Sequence, residues 1–190
     1  MLKDLVTKAR SYRRYDQSYA MSETELKSFV DIARITNSGS NQQPLKYKII
    51  CKQPLIDQYF AITKWGGRFK DYNGPAPGEQ PTGYIVICCD TQIKAAAAAI
   101  TDMGIAAEIL VLAAAEAGFG SCMIGNFARD KCRELLALAD HLEPILTVAF
   151  GKPNDEIVLE ELSEGEPSDY YRDENLVHHV PKRKLDDILL

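Results

Sequence analysis

Positions 94–118 constrain this chain more than any other stretch. Ala95 to Ala99, Ile100, Met103, Ile105, Ala106, Ala107, Ile109, Leu110, Val111, Leu112, Ala113 and Ala114 leave almost no polar face. The composition predicts one long helix closed by Gly118, since glycine takes the left-handed conformation that ends helices. A helix that is apolar all round has to be buried on every side. A chain of 190 residues supports one core of ordinary size and surrounds a helix completely only with difficulty. The stretch therefore predicts a second subunit over part of its circumference. Uninterrupted apolar runs such as 95–100 are far too short to span a bilayer, so no membrane is expected as a partner.

The flanking elements read as helices and strands of one domain over 1–190. Leu2, Leu5, Val6 and Ala9 have helical spacing. Ser22-Glu23-Thr24-Glu25 is a capping box, and Leu26, Phe29, Val30 and Ala33 follow on one helical face. Leu45, Tyr47, Ile49 and Cys51 alternate with Lys46, Lys48 and Ile50, which predicts a strand with one well-buried face. Pro54 starts a short helix through Phe60. Tyr84 to Cys89 is a continuous apolar run and reads as a buried strand. Its two cysteines point to opposite faces, so they serve as small core hydrophobes and not as joint metal ligands. A short amphipathic helix is expected over 129–138. A strand follows over 144–150, closed by a Gly151-Lys152-Pro153 turn.

Three polar stretches interrupt this scaffold. Arg10-Ser11-Tyr12-Arg13-Arg14-Tyr15 puts three guanidinium groups and a hydroxyl together, which suits either an anion clamp or a solvated basic patch. Thr36 to Pro44 carries Asn37, Ser38, Ser40, Asn41, Gln42 and Gln43 around Gly39, expected to supply backbone freedom. Such a loop can present donors and acceptors to a planar polar ligand, and alone it is also what a solvated connector looks like. Residues 64–81 hold four glycines, three prolines and the one tryptophan, and read as a lid loop with Trp65 and Phe69 near a substrate, or as a surface excursion with its aromatics in the core.

Charge and cysteine content narrow the function classes. A net charge of −5 gives no reason to expect nucleic acid. Five cysteines without a C-x-x-C pair argue against a disulfide framework or zinc site, and free thiols suit a reducing cytosol. The first residues lack the apolar core of a signal peptide, so a cytoplasmic protein is expected. Adjacent His178 and His179 do not readily chelate one metal, and no metal is expected.

Arg10-Ser11-Tyr12-Arg13-Arg14-Tyr15, Ser38-Gly39-Ser40-Asn41-Gln42-Gln43-Pro44 and Gly118-Phe119-Gly120-Ser121-Cys122-Met123-Ile124-Gly125 resemble, in that order, three motifs of the nitroreductase family of FMN-dependent NAD(P)H oxidoreductases. The basic tail Val180-Pro181-Lys182-Arg183-Lys184-Leu185 is similar to the end of such proteins. The resemblance implies an α+β fold, a mainly antiparallel central sheet flanked by helices, built as an intertwined homodimer with FMN at the interface. It implies cofactor contacts from Arg10, Ser11, Tyr12 and Arg13, with Arg13 against the pyrimidine edge of the flavin. It adds Asn37, Ser38, Gly39, Asn41 and Gln43 from the other subunit, backbone near Met123, Ile124 and Gly125 by flavin N5, and Lys182 or Arg183 at the phosphate. The implied activity is ping-pong transfer from NAD(P)H through FMN to a nitroaromatic, quinone or similar small acceptor, with no protein acid, base or nucleophile. A flavin sensor or store without turnover is the alternative. Cys122, near this site, reads as an inert core thiol. Ala9, Asn37 and Leu45 depart from the residues many relatives carry at those positions, and the chain is short for the family.

Overall fold

The computed structural model describes residues 1–69 and 72–190. Lys70 and Asp71, within the expected 64–81 lid, lie outside the described residues.

The centre of the molecule is strand β5 (Leu142–Pro153); the other strands of its sheet are β1 (Tyr15–Asp16), β2 (Leu45–Ile50), β3 (Gly83–Asp90) and β4 (Gly120–Ile124). On one side β5 pairs with β3, which pairs with β2; on the other it pairs with β4 and, further along, with β1. All of these pairings are antiparallel. All eight residues of β3 are buried. Successive side chains of a strand point to opposite faces, so Ile85, Ile87 and Cys89 enter one core while Tyr84, Val86 and Cys88 enter the other. The first core lies under helices α2 (Glu23–Ala33) and α4 (Ile100–Glu116), and the second under α3 (Leu55–Phe60) and α5 (Arg129–Leu135). The expected α+β arrangement of an antiparallel sheet between helices is therefore present, and it carries Cys88 and Cys89 into separate cores.

Local signals survive folding where they are self-contained. Ser22 Oγ accepts from the backbone N–H of Glu25, and the Glu25 carboxylate accepts from the Ser22 N–H and Oγ, both at 2.7 Å, so the capping box starts α2 as expected. Leu2–Lys8 forms α1, none of whose residues is buried.

Three expectations change. The 94–118 helix begins later: Ala96–Ala99 is a 3₁₀ turn, and the α-helix proper starts at Ile100. Lys94 stays tied to the end of β3, its N–H donating to Asp90 and its carbonyl accepting from Cys89 Sγ, so it is not free to enter the helix. Gly151-Lys152-Pro153 does not turn but continues β5, pairing with β4 and β1. A Cβ on Gly151 would lie 2.9 Å from the buried Tyr15 ring, so glycine is needed there for the ring to cross the strand. By length and composition alone Ala96–Glu116, with mean hydropathy 1.8, is long enough to cross a membrane, which the short apolar runs did not suggest. In this fold it packs against α2, β4 and β5, yet its own chain buries only 39% of that window.

The acidic region after Asn154 has no clear periodicity but forms a second sheet. There β6 (Ile157–Glu161) pairs in parallel with β8 (His178–Lys182), and β7 (Tyr171–Arg172) pairs antiparallel with β8.

Candidate functional site

The polar loop after α2 is held by one carboxylate from the central helix. Asp102, 3% exposed, accepts from Ser38 Oγ at 2.6 Å and from the Gly39 N–H at 2.8 Å. Its other oxygen pairs with Lys94 Nζ at 2.6 Å. Ser38 Oγ in turn accepts the Gln43 N–H at 3.0 Å. The Lys94 hydrogen bond first, then that of Ser38, holds the Asp102 carboxyl down to about 2. It is therefore ionised throughout the neutral range. Asp102 was not among the sequence candidates; a carboxylate in the first turn of a largely apolar helix was the available signal, because a buried charge needs partners.

The loop's unusual backbone is not at its glycine. Ser40, Asn41 and Gln43 have φ of 52°, 52° and 50°. Gly39 instead lies close to the ion pair, where a Cβ would be 3.2 Å from Lys94 Nζ. A cavity of about 200 Å³ opens beside the loop, with Asn37, Ser38, Gln43, Tyr47, Asp102 and Ala106 in its lining. Asn41 lies on the exposed side, its carbonyl accepting from Gln43 Nε2 at 3.2 Å.

A second cavity, also about 200 Å³, lies between the N-terminal motif and β4, lined by Arg10, Ser11, Glu108, Val111, Ser121 and Met123 among others. Ser11 bridges to Ser121, and the Tyr12 N–H donates to the Ser121 carbonyl at 2.8 Å. The Tyr12 ring lies on Gly120, where a Cβ would sit 2.8 Å from it. This contact explains the glycine in that motif. Arg10 gives one bond of 2.6 Å to the Val6 carbonyl, while its Nε is buried without a partner among the described residues. Ile124 is buried beneath this cavity's strand, and Gly125 is exposed beyond it. Burial pushes the Cys122 thiol up, in keeping with an inert core thiol.

Residues 6–152 match the family model described as the nitroreductase family. The chain belongs to the nitroreductase family. A nitroreductase family protein from Clostridium difficile 630 is 25% identical, with a TM-score of 0.63, over 80% of this chain and 84% of that one. A nitroreductase-type protein from Desulfovibrio desulfuricans, solved in complex with FMN, is 21% identical with a TM-score of 0.69 over 100% of this chain and 95% of that one. A Methanothermobacter thermautotrophicus protein whose name couples NADH dehydrogenase and NAD(P)H nitroreductase is 24% identical over 149 residues, 76% of this chain and 73% of its own. Family membership supports an FMN-binding oxidoreductase.

This member of the family does not bring all of its expected site residues together in one chain. The Asn37–Gln43 group and the Arg10–Ser11 group line separate cavities. Arg13, expected against the pyrimidine edge of the flavin, is not in the lining of the Arg10 cavity: it is 9% exposed, donates to the Ser11 carbonyl at 3.1 Å and lies 4.6 Å over the Tyr170 ring. Local backbone pairing of Tyr12 with Ser121 sends successive side chains to opposite sides, which separates Arg10 and Arg13. Trp65, expected either in a lid or tucked into the core, lies in the core. It is 7% exposed, its Nε1 donates to Thr63 Oγ1 at 2.9 Å, and it packs in the core of α3. Phe69 packs among Tyr72, Tyr170 and His178. Lys182 pairs its backbone with Leu162, and neither Lys182 nor Arg183 lines the Arg10 cavity.

Proposed function

We propose that the protein is a homodimeric FMN oxidoreductase that takes reducing equivalents from NAD(P)H and delivers them to a small acceptor such as a nitroaromatic or quinone. The observation that carries the reading is the position of the two cavities around α4. Asp102 and Ala106 border one, Glu108 and Val111 the other. At 3.6 residues per turn the second pair lies roughly 120–180° around the axis from the first. One chain therefore offers two half-sites facing apart, and a second copy packed on the uncovered part of α4 would close each against the other's complement.

The residues present fit a flavin mononucleotide. The unpartnered Arg10 Nε is a donor suited to a phosphate oxygen, and Ser11 stands beside it. Asn37, Ser38, Asn41 and Gln43 offer neutral donors and acceptors for a ribityl chain and a flavin edge. When bound, FMN supplies the redox chemistry. The chain's own part is to hold and orient it and to exclude water. Asp102 keeps Ser38 and Gly39 in place, and the Tyr12–Gly120 packing keeps the segment after Arg10 against β4.

The test is spectroscopic. Purified protein should be yellow, and anaerobic NADH or NADPH should bleach it rapidly, with colour returning on addition of an acceptor. Flavin that stays oxidised under both nicotinamides would favour a sensor or store. A colourless protein with no affinity for FMN would overturn the reading.

A further inference from the structure

We propose that Glu108 is a specificity-determining residue of the Arg10 half-site: its carboxylate competes with the FMN phosphate for Arg10, so that the site holds phosphorylated flavin less tightly than its other residues would allow. The inference rests on the flavin reading above and adds a residue to it. Glu108 lies in the lining of the cavity of about 200 Å³ that also takes in Arg10, Ser11 and Ser121. It is the one charged residue of α4 between Asp102 and Glu116, and it is exposed in the single chain.

The two acids that border the cavities from α4 differ in what they hold. Asp102 is spent on Lys94, Ser38 and Gly39. Glu108 has no hydrogen-bond or ion-pair partner among the described residues. Arg10 is only partly spent. Its Nη2 donates to the Val6 carbonyl at 2.6 Å, while its Nη1 makes no bond to any described residue. Both charged groups therefore face the same space with capacity left over. Gly104, one turn before Glu108, would meet nothing within 4 Å of an added Cβ, so this stretch of α4 is open and the Glu108 side chain is not held by packing.

The lining holds one cation and one anion, and its remaining side chains carry no charge. A guanidinium offers a carboxylate and a phosphate the same fork of donors. A phosphate entering the cavity therefore finds Arg10 contested. It also meets a second negative charge. In a space of about 200 Å³ it stays within the screening distance of about 8 Å from the lining groups, so salt at physiological strength does not remove the repulsion. A second copy packed over this part of α4 would take water away from Glu108 and strengthen both effects, because charges interact more strongly in a drier site. The flavin ring and the ribityl hydroxyls are neutral and feel neither. Glu108 thus acts on the phosphate alone, with a sign opposite to that of Arg10.

The experiment is equilibrium dialysis of the full chain, freed of flavin, against FMN and against riboflavin, which lacks the phosphate. Glu108→Gln should tighten FMN about tenfold, the scale of one charge interaction in a partly screened site, and leave riboflavin unchanged. Glu108→Ala should do the same and decides the matter if the first variant does not fold. In an Arg10→Ala background the gain from Glu108→Gln should shrink, since there the carboxylate has no cation to hold. FMN affinity that is unchanged or weakened in both variants would overturn the proposal. So would an equal gain for riboflavin, or a gain of full size without Arg10. Variants that sediment at lower mass than wild type would also overturn it, by placing the carboxylate in a contact between copies. A wild-type protein that binds neither flavin ends the flavin reading and this proposal together, whereas FMN binding that the variants do not alter ends this proposal alone.

Discussion

Ser38 Oγ donates to Asp102 Oδ1 at 2.6 Å, joining the polar loop to the first turn of α4 across 64 residues of chain. The same carboxylate holds the Gly39 N–H and Lys94. It therefore sets the shape of one half-site and the start of the central helix together. Asp102→Ala should destabilise the fold by about 3 kcal/mol, the scale of breaking a buried ion pair. Urea denaturation measures it; a change within error would mean the loop is held by other contacts.

The contribution of Asp102 depends on pH in a definite direction. Its carboxyl is lowered in the folded state to about 2, against about 3.9 in an unfolded chain. The stabilisation is thus fully present above about pH 4 and is lost as pH falls through the folded value. The stability gap between wild type and Asp102→Asn should be widest at neutral pH and should narrow on acidification toward about pH 2. Urea midpoints across that range test the sign, and a gap constant with pH would show that folding does not shift the Asp102 carboxyl.

Arg10→Ala should weaken FMN retention by about 2 kcal/mol, the scale of one charged hydrogen bond, with little loss of stability because its one bond is to an exposed helix end. Equilibrium dialysis against FMN reads the first and thermal unfolding the second. Unaltered FMN affinity would remove Arg10 from the phosphate site.

Trp65→Ala should act on stability and not on catalysis. The indole is buried against Phe60 and bonded to Thr63, so truncation should cost about 3–5 kcal/mol. An acceptor KM that shifts with stability unchanged would restore the lid role.

A dimer contact is best tested at an apolar position its own chain leaves uncovered. Ile100 is 53% exposed at the start of α4. Ala107, on the same helix, is wholly buried within the chain, so a charge there would unfold the protomer whether or not it pairs. Ile100→Glu should leave a folded protein that sediments at lower mass than wild type. A wild-type protein that sediments as a flavin-bound monomer would end the dimer proposal.

The capping box of α2, the buried run of β3 and the opposite destinations of Cys88 and Cys89 were legible in the sequence. Each depends on periodicity or on groups three residues apart, and these are set by the local backbone. The three motifs and their order were legible for a related reason: each is a short stretch whose residue types carry its chemistry. Only the tertiary structure decided that Asp102 anchors Ser38, that Arg13 packs over the Tyr170 ring, and that Trp65 belongs to the core. It also decided that Lys94 stays with β3 and that Gly151 continues a strand beneath Tyr15. In each case a side chain's destination depends on a partner far away in sequence, and no local pattern encodes which of several polar or aromatic partners long-range packing will supply.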